Sequence, residues 1–136
     1  MVVSRCLYAV GVFFLSMMPS LALTLECNMT KSSAGGGFIT DVYFFDYDEA
    51  KGKALVADAL IYHFAGEQPI AAVVSEDTKR KLVFTWRVKI TTNTGQTANM
   101  QFRASYFKGD KTVLVRAAPG GDYVDNFESR GTCKPV

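Results

Sequence analysis

Residues 81–107, which read KLVFTWRVKITTNTGQTANMQFRASYF, decide the fold. Apolar and polar side chains alternate on both sides of the central TTNTGQT. Alternation with a period of two indicates a strand with one buried face, and Asn, Gly and Thr between two such runs indicate a turn. The stretch therefore predicts a long antiparallel hairpin. Its predicted inward-facing residues are Leu82, Phe84, Trp86, Val88, Ile90, Ala98, Met100, Phe102, Ala104 and Tyr106.

The same alternation continues to the C-terminus. The turn sequence KGDK at 108–111 leads into TVLVRAA, and PGGD at 119–122 leads into a last strand that alternates as far as Cys133. Consecutive strands joined by short turns predict a meander.

The first half of the chain is less regular. LTLECNMT, FITDVYFFDYD and IAAVVSED each predict a strand. Residues 53–65 are ambiguous, because the alanines and Gly66 suit a capped helix, whereas LIYHF running into GEQP favours two short strands or one bent strand. We predict strands there. The predicted fold is all-β: a single antiparallel meander of about eight strands closed into a small barrel.

The N-terminus predicts export. Arg5 is followed by the apolar run CLYAVGVFFLSMM, by Pro19 and by Ser20-Leu21-Ala22, which has small residues at the minus-three and minus-one positions that a signal peptidase reads. We predict a signal peptide over 1–22 and a β-barrel domain over 23–136. The apolar run is shorter than the ~20 residues of a membrane span and no second run follows, so no transmembrane anchor is expected in the mature chain.

The cysteines predict a disulfide. Cys6 leaves with the signal peptide, and Cys27 and Cys133 remain as a pair in an exported chain. The first and last strands of a closed meander are neighbours at ~4.8 Å, a distance that suits a disulfide. We therefore expect the bond to join the two ends of the barrel, with Gly131 at a bend where a side chain would crowd the neighbouring strand.

Two sets of residues are candidates for binding. The inward aromatic side chains Phe84, Trp86, Phe102 and Tyr106 are either core filling or the lining of a ligand pocket, because an eight-strand barrel just fills its interior or holds one small ligand. The outward cations Arg87, Lys89 and Arg103 are either a patch for an anionic partner or a solvated barrel wall.

Several other functions are disfavoured. The whole chain has 15 basic and 13 acidic residues, and this near balance gives no reason to expect nucleic-acid binding. The carboxylates are scattered, and the one histidine, His63, lies in an apolar run. We predict no enzyme activity, no cofactor and no metal, and interpret Asp46–Glu49 as an acidic turn rather than a calcium site.

Short motifs support a resemblance. They are LTLE before Cys27, PI at 69–70, FTW at 84–86, GQ at 95–96 and the terminal RGTC. The chain resembles uncharacterised small exported β-barrel proteins of bacteria with one end-to-end disulfide, and more distantly is similar to periplasmic inhibitors of C-type lysozyme. Those inhibitors carry a serine-glycine loop with a following basic residue and tyrosine. SSAGGG at 32–37 has the small residues without that pair.

The resemblance implies secretion, most simply to the bacterial periplasm. The expected function is that of a non-catalytic binding module for a small apolar ligand or an envelope protein partner. The alternative is an inhibitor or structural protein that acts through its outer loops at 34–37 and 119–122.

Overall fold

The computed structural model describes residues 22–30, 37–120 and 127–136. Each strand in these ranges pairs antiparallel with the next, and the last pairs back with the first, so the sheet is a closed barrel in sequence order. The predicted all-β meander and its closure are therefore confirmed. The elements are β1 (Ala22–Met29), β2 (Val42–Asp48), β3 (Lys53–Ala57), α1 (Ala59–Phe64), β4 (Ile70–Asp77), β5 (Lys81–Thr91), β6 (Thr97–Phe107), β7 (Thr112–Pro119) and β8 (Phe127–Pro135).

The β5–β6 hairpin has the predicted bounds. Its register runs without a break from Lys81 opposite Phe107 to Thr91 opposite Thr97. Trp86 faces Phe102 across the ladder, and both side chains are buried. Among the outward residues of the same strands, Arg87, Lys89 and Arg103 are exposed, whereas Val83 and Ser105, which lie opposite each other, are buried.

The prediction of strands over 53–65 is wrong in its second half. β3 ends at Ala57, and residues 59–64 form the helix α1. The carboxylate of Asp58 caps this helix by accepting a hydrogen bond from the backbone N–H of Ile61 at 2.8 Å. Ile61 is fully buried in the core, so one helical face supplies the apolar contact that a strand would otherwise have made. Gly66, with a φ of +97°, follows the helix in the left-handed conformation that glycine favours.

Aromatic rings fill the barrel interior. Phe45 stacks on Phe84 with ring centroids 4.7 Å apart, and Trp86 stacks on Phe102 at 5.4 Å. Tyr43 lies against Trp86 with centroids 5.9 Å apart. Since all five side chains are at most 5 % exposed, their rings form the centre of one continuous core.

A disulfide closes the barrel where β1 meets β8. Cys27 lies directly opposite Cys133 with a Cα–Cα distance of 4.0 Å, and the two sulfur atoms are bonded. The predicted pairing is confirmed. Gly131 lies opposite Met29, and a Cβ at this position would lie 2.9 Å from the Met29 Cα and closer still to the Asn28 carbonyl oxygen. The predicted crowding at Gly131 is therefore present.

The predicted signal peptide lies outside the described residues except for Ala22, the first residue of β1. In the described ranges, no helix has both the length and the apolar character needed to cross a membrane.

A candidate binding groove on the outer wall

The four predicted lining residues all lie inside the barrel. Phe84, Trp86, Phe102 and Tyr106 are at most 6 % exposed. Phe84 stacks on Phe45, and Trp86 stacks on Phe102 with ring centroids 5.4 Å apart. Trp86 and Phe102 also line a concavity of the outer wall. Their arrangement favours core filling, and a role in ligand binding stays a prediction.

The predicted basic residues lie on the outer wall, where a third arginine joins two of them. Arg87 projects from β5 and Arg103 from β6, and both are exposed. The register of β6 and β7 places Arg116 directly opposite Arg103. Lys89 is exposed farther along β5, opposite Asn99, and does not line the concavity that contains the arginines.

These three arginines line an open concavity of about 1130 Å³, which we call the arginine groove. Strands β4 to β8 all contribute to it. Ala71 and Val73 of β4 form an apolar wall on one side, and Ala118 of β7 and Phe127 of β8 lie on the other. Thr85, Gln101 and Glu128 are its remaining outward polar residues. The groove therefore combines cations with exposed apolar surface.

Two of the arginines have no acidic partner in the part of the chain that the structure describes. Arg116 donates a hydrogen bond from Nε to Oε2 of Glu128 at 2.9 Å. The other described ion pairs do not involve Arg87 or Arg103. Like charges directly opposite each other on neighbouring strands lower the stability of a sheet. The Arg103–Arg116 pair is therefore unfavourable for folding, and the packing of the barrel does not explain why both residues are arginine.

Chemically, this arrangement suits carboxylates. A guanidinium group presents a planar set of N–H donors that matches both oxygens of a carboxylate, and such charge-assisted bonds are stronger than neutral ones. Neighbouring strands are about 4.8 Å apart, so the arginines on β5, β6 and β7 can bind carboxylates at successive points across the groove.

No protein-family model, no curated protein and no solved structure matches this chain. The groove and the packing of the barrel are therefore the basis for the functional proposal.

Sequence reasoning missed Arg116, although a signal for it was present. The four residues KGDK at 108–111 form the β6–β7 turn, which leaves Phe107 opposite Thr112. Four residues farther from the turn on each strand, Arg103 lies opposite Arg116. Alternation in TVLVRAA predicts that Arg116 faces outward, and the length of the turn predicts that Arg103 is its neighbour.

The other candidates from the sequence lie away from the groove. His63 is exposed on α1 and makes an edge contact with Phe64, with ring centroids 4.6 Å apart. Within residues 22–30, 37–120 and 127–136, no group of three His, Cys, Asp or Glu side chains is placed to hold a metal ion. Of the loops assigned to the inhibitor alternative, residues 34–36 and 121–122 lie outside the described residues.

Proposed function

We propose that this chain is an exported, non-catalytic β-barrel that binds an envelope protein, with an acidic segment of the partner in the arginine groove. The observation that carries the proposal is the presence of Arg87 and Arg103 in one concavity without acidic partners among the described residues. Because the interior is filled by stacked rings, the outer wall supports binding better than the interior does.

Exposed apolar residues next to the groove favour a protein over a free anion. Val73, in the wall of the groove, is 66 % exposed, and Leu55, opposite Ala71 on the neighbouring strand, is 45 % exposed. Isolated exposed apolar residues are common, but a contiguous patch beside polar residues is typical of protein-binding surfaces. A partner that covers Val73 and Leu55 while its carboxylates bind Arg87 and Arg103 would use both features.

The shape of the site also favours a protein segment over a lipid surface. A flat membrane surface contacts the rims of a concave site and leaves its floor empty. A protruding loop or an extended segment enters the concavity, where Arg103 lies opposite Arg116 and Arg87 lies opposite Gln101, two residues from Arg103.

A charge-reversal comparison tests the proposal. The probe is a fluorescein-labelled peptide of alternating glutamate and valine, and its binding is measured by fluorescence anisotropy. Arg103→Glu is expected to weaken binding by about tenfold or more, because it replaces an attraction by a repulsion in a partly desolvated site. Lys89→Glu is the matched control, since it makes the same charge change on the same face but outside the groove.

Two further results separate groove binding from general charge attraction. Affinity should fall as salt is added, and a peptide with glutamine in place of glutamate should bind much more weakly. Equal loss of affinity in Arg103→Glu and Lys89→Glu, or equal binding of the two peptides, would remove the support for the groove.

A further inference from the structure

A second concavity lies on the outer wall, where residues 37–44 meet the start of α1. Its volume is about 520 Å³, and it shares no residue with the arginine groove. We call it the aromatic pocket. The residues that define it are Thr40, Asp41, Phe44, Asp58 and Tyr62.

Two aromatic side chains of the pocket are left uncovered by the fold. Phe44 projects outward from β2, whose neighbouring residues Tyr43 and Phe45 are buried, and Tyr62 lies on the exposed side of α1. The two residues are 44 % and 42 % exposed, respectively. The face of an aromatic ring carries negative charge density, so a cation placed over it is attracted electrostatically.

The pocket also contains a buried carboxylate that has no counter-ion among the described residues. Asp58 is only 4 % exposed, and its oxygen atoms accept hydrogen bonds from the Ile61 N–H at 2.8 Å and from the Thr40 hydroxyl at 2.7 Å. No described lysine, arginine or histidine forms an ion pair with it. These two hydrogen bonds compensate the burial of Asp58, and its negative charge beside the opening favours a cation there over an anion.

The other charges at the aromatic pocket also favour a positively charged ligand. Asp41 adds a second, exposed carboxylate at the pocket, and none of the described lysine, arginine or histidine residues lines it. Burial raises the pKa of Asp58, which is the effect expected of a carboxylate that lacks a neighbouring cation. Burial likewise raises the pKa of Tyr43, whose hydroxyl accepts a hydrogen bond from the Thr40 N–H at 3.2 Å. Thr40 thus connects Asp58 and Tyr43 and holds the floor of the pocket in place.

We infer that the aromatic pocket binds a small organic cation, with an alkylammonium group held between Phe44 and Tyr62 and beside the carboxylates of Asp41 and Asp58. A divalent metal ion fits this lining less well, because calcium and magnesium require several oxygen ligands and a ring face supplies none. A substituted ammonium ion uses both features at once, since its alkyl groups contact the rings and its charge faces the acids. This inference is independent of the arginine groove.

The direct test is a titration with choline followed by ¹H–¹⁵N NMR of the isotope-labelled protein. Saturable shifts are expected in residues 37–44 and 58–62, while residues of the arginine groove stay unchanged. Neohexyl alcohol, the uncharged carbon isostere of choline, serves as the control ligand and should bind at least about tenfold more weakly, because it lacks the charge that the rings and carboxylates recognise. Absence of saturable choline shifts, or equal affinity for neohexyl alcohol, would overturn the inference.

Variants at exposed positions separate the pocket from a general effect on folding. Tyr62→Leu and Phe44→Leu should each weaken choline binding about threefold to tenfold, because each removes one ring. Tyr62→Phe keeps the ring and should bind within about twofold of the parent. Val136→Ala, at an exposed apolar residue outside both concavities, is the matched control. If Tyr62→Leu keeps a native spectrum and binds choline like the parent, the assignment of the site is wrong.

Discussion

Gly131 has the least room for a side chain among the described glycines. A Cβ there would meet backbone atoms of Asn28 and Met29 on the neighbouring strand, which cannot move without disturbing the β1–β8 ladder. We expect Gly131→Ala to lower the free energy of unfolding by about 1 to 3 kcal/mol, as overpacking does. Urea unfolding measures the change. Gly109→Ala is the control, because nothing lies within 4 Å of its added Cβ; equal stabilities of the two variants would contradict this account of closure.

Trp86 tests whether the interior is filled. The side chain is 5 % exposed and contacts the rings of Tyr43, Phe45 and Phe102. Trp86→Ala should therefore cost about 3 to 5 kcal/mol of stability in urea unfolding, because it leaves a large cavity. Titration of the parent with an apolar probe should leave the Trp86 emission without a saturable change. A stable Trp86→Ala protein that has lost probe binding would instead indicate an internal ligand site.

At the scale of elements, Asp77 joins three parts of the sheet at the end of β4. Its carboxylate accepts hydrogen bonds from Lys108 Nζ at 2.7 Å and from the Tyr47 hydroxyl at 2.8 Å. The bond from Lys108, followed by that from Tyr47, lowers the pKa of Asp77. Burial, and then the bond to Asp77, raises the pKa of Tyr47 to about 12. The network holds β2, β4 and the β6–β7 turn together.

The lowered pKa gives a pH dependence of stability. A carboxyl whose pKa is lower in the folded state stabilises the fold above its ordinary pKa of 3.8, and this contribution is lost as the pH falls through the folded-state value. We expect Asp77→Asn to cost at most about 1 kcal/mol at neutral pH, since the pair with Lys108 is partly solvated. Urea unfolding at a series of pH values should show the two proteins converging below pH 3.8.

The Lys108→Ala background is the control for that series. Without the ammonium group, Asp77→Asn should cost less than it does in the parent, because the charge-assisted bond is already absent. An equal cost in both backgrounds, or a difference that grows as the pH falls, would show that the Asp77–Lys108 pair does not stabilise the fold.

Strand prediction succeeded where alternation was strict and failed where it was absent. The bounds of β5 and β6 follow from the sequence because burial of one face enforces a period of two along most of each strand, the exceptions being the buried outward residues Val83 and Ser105. LIYHF carries no such alternation, and the choice of helix there depends on the Asp58 cap and on the burial of Ile61. The cap is a local contact that Asp58, three residues before Ile61, makes visible in the sequence, whereas the burial of Ile61 is a tertiary contact that a run of five residues does not reveal.

The two sites differ in how far the sequence predicts them. Arg87 and Arg103 follow from alternation, and Arg116 follows from the length of the β6–β7 turn. The aromatic pocket does not follow, because Phe44 and Asp58 come together only through the pairing of β2 with β3 and the start of α1. Aromatic residues occur on both faces of FITDVYFFDYD, so its sequence does not distinguish Phe44 from the core.

At the scale of the whole molecule, the disulfide closes almost the entire domain into a ring. Cys27 and Cys133 are separated by 106 residues. Removal of the bond frees the unfolded chain, so the Cys27→Ala, Cys133→Ala double variant should lose about 2 to 5 kcal/mol and melt well below the parent. Thermal unfolding followed by circular dichroism measures the difference. Equal melting temperatures under non-reducing conditions would mean that the bond contributes nothing to stability.

The central proposal at this scale is that the barrel is a scaffold whose outer wall binds a partner, and the filled interior and the two concavities of the outer wall support it. Site-specific photo-crosslinking in cells that export the protein tests this claim most directly. A photoreactive residue is introduced at Gln101, which lines the arginine groove, and in a separate protein at Asn99, which lies on the same strand and face but outside the groove.

The account predicts that Gln101 forms an adduct with one envelope protein, that the cross-linked peptide of this partner is rich in Asp and Glu, and that Arg103→Glu abolishes the adduct. The same adduct from Asn99, an adduct that persists in Arg103→Glu, or a cross-linked peptide without acidic residues would contradict it.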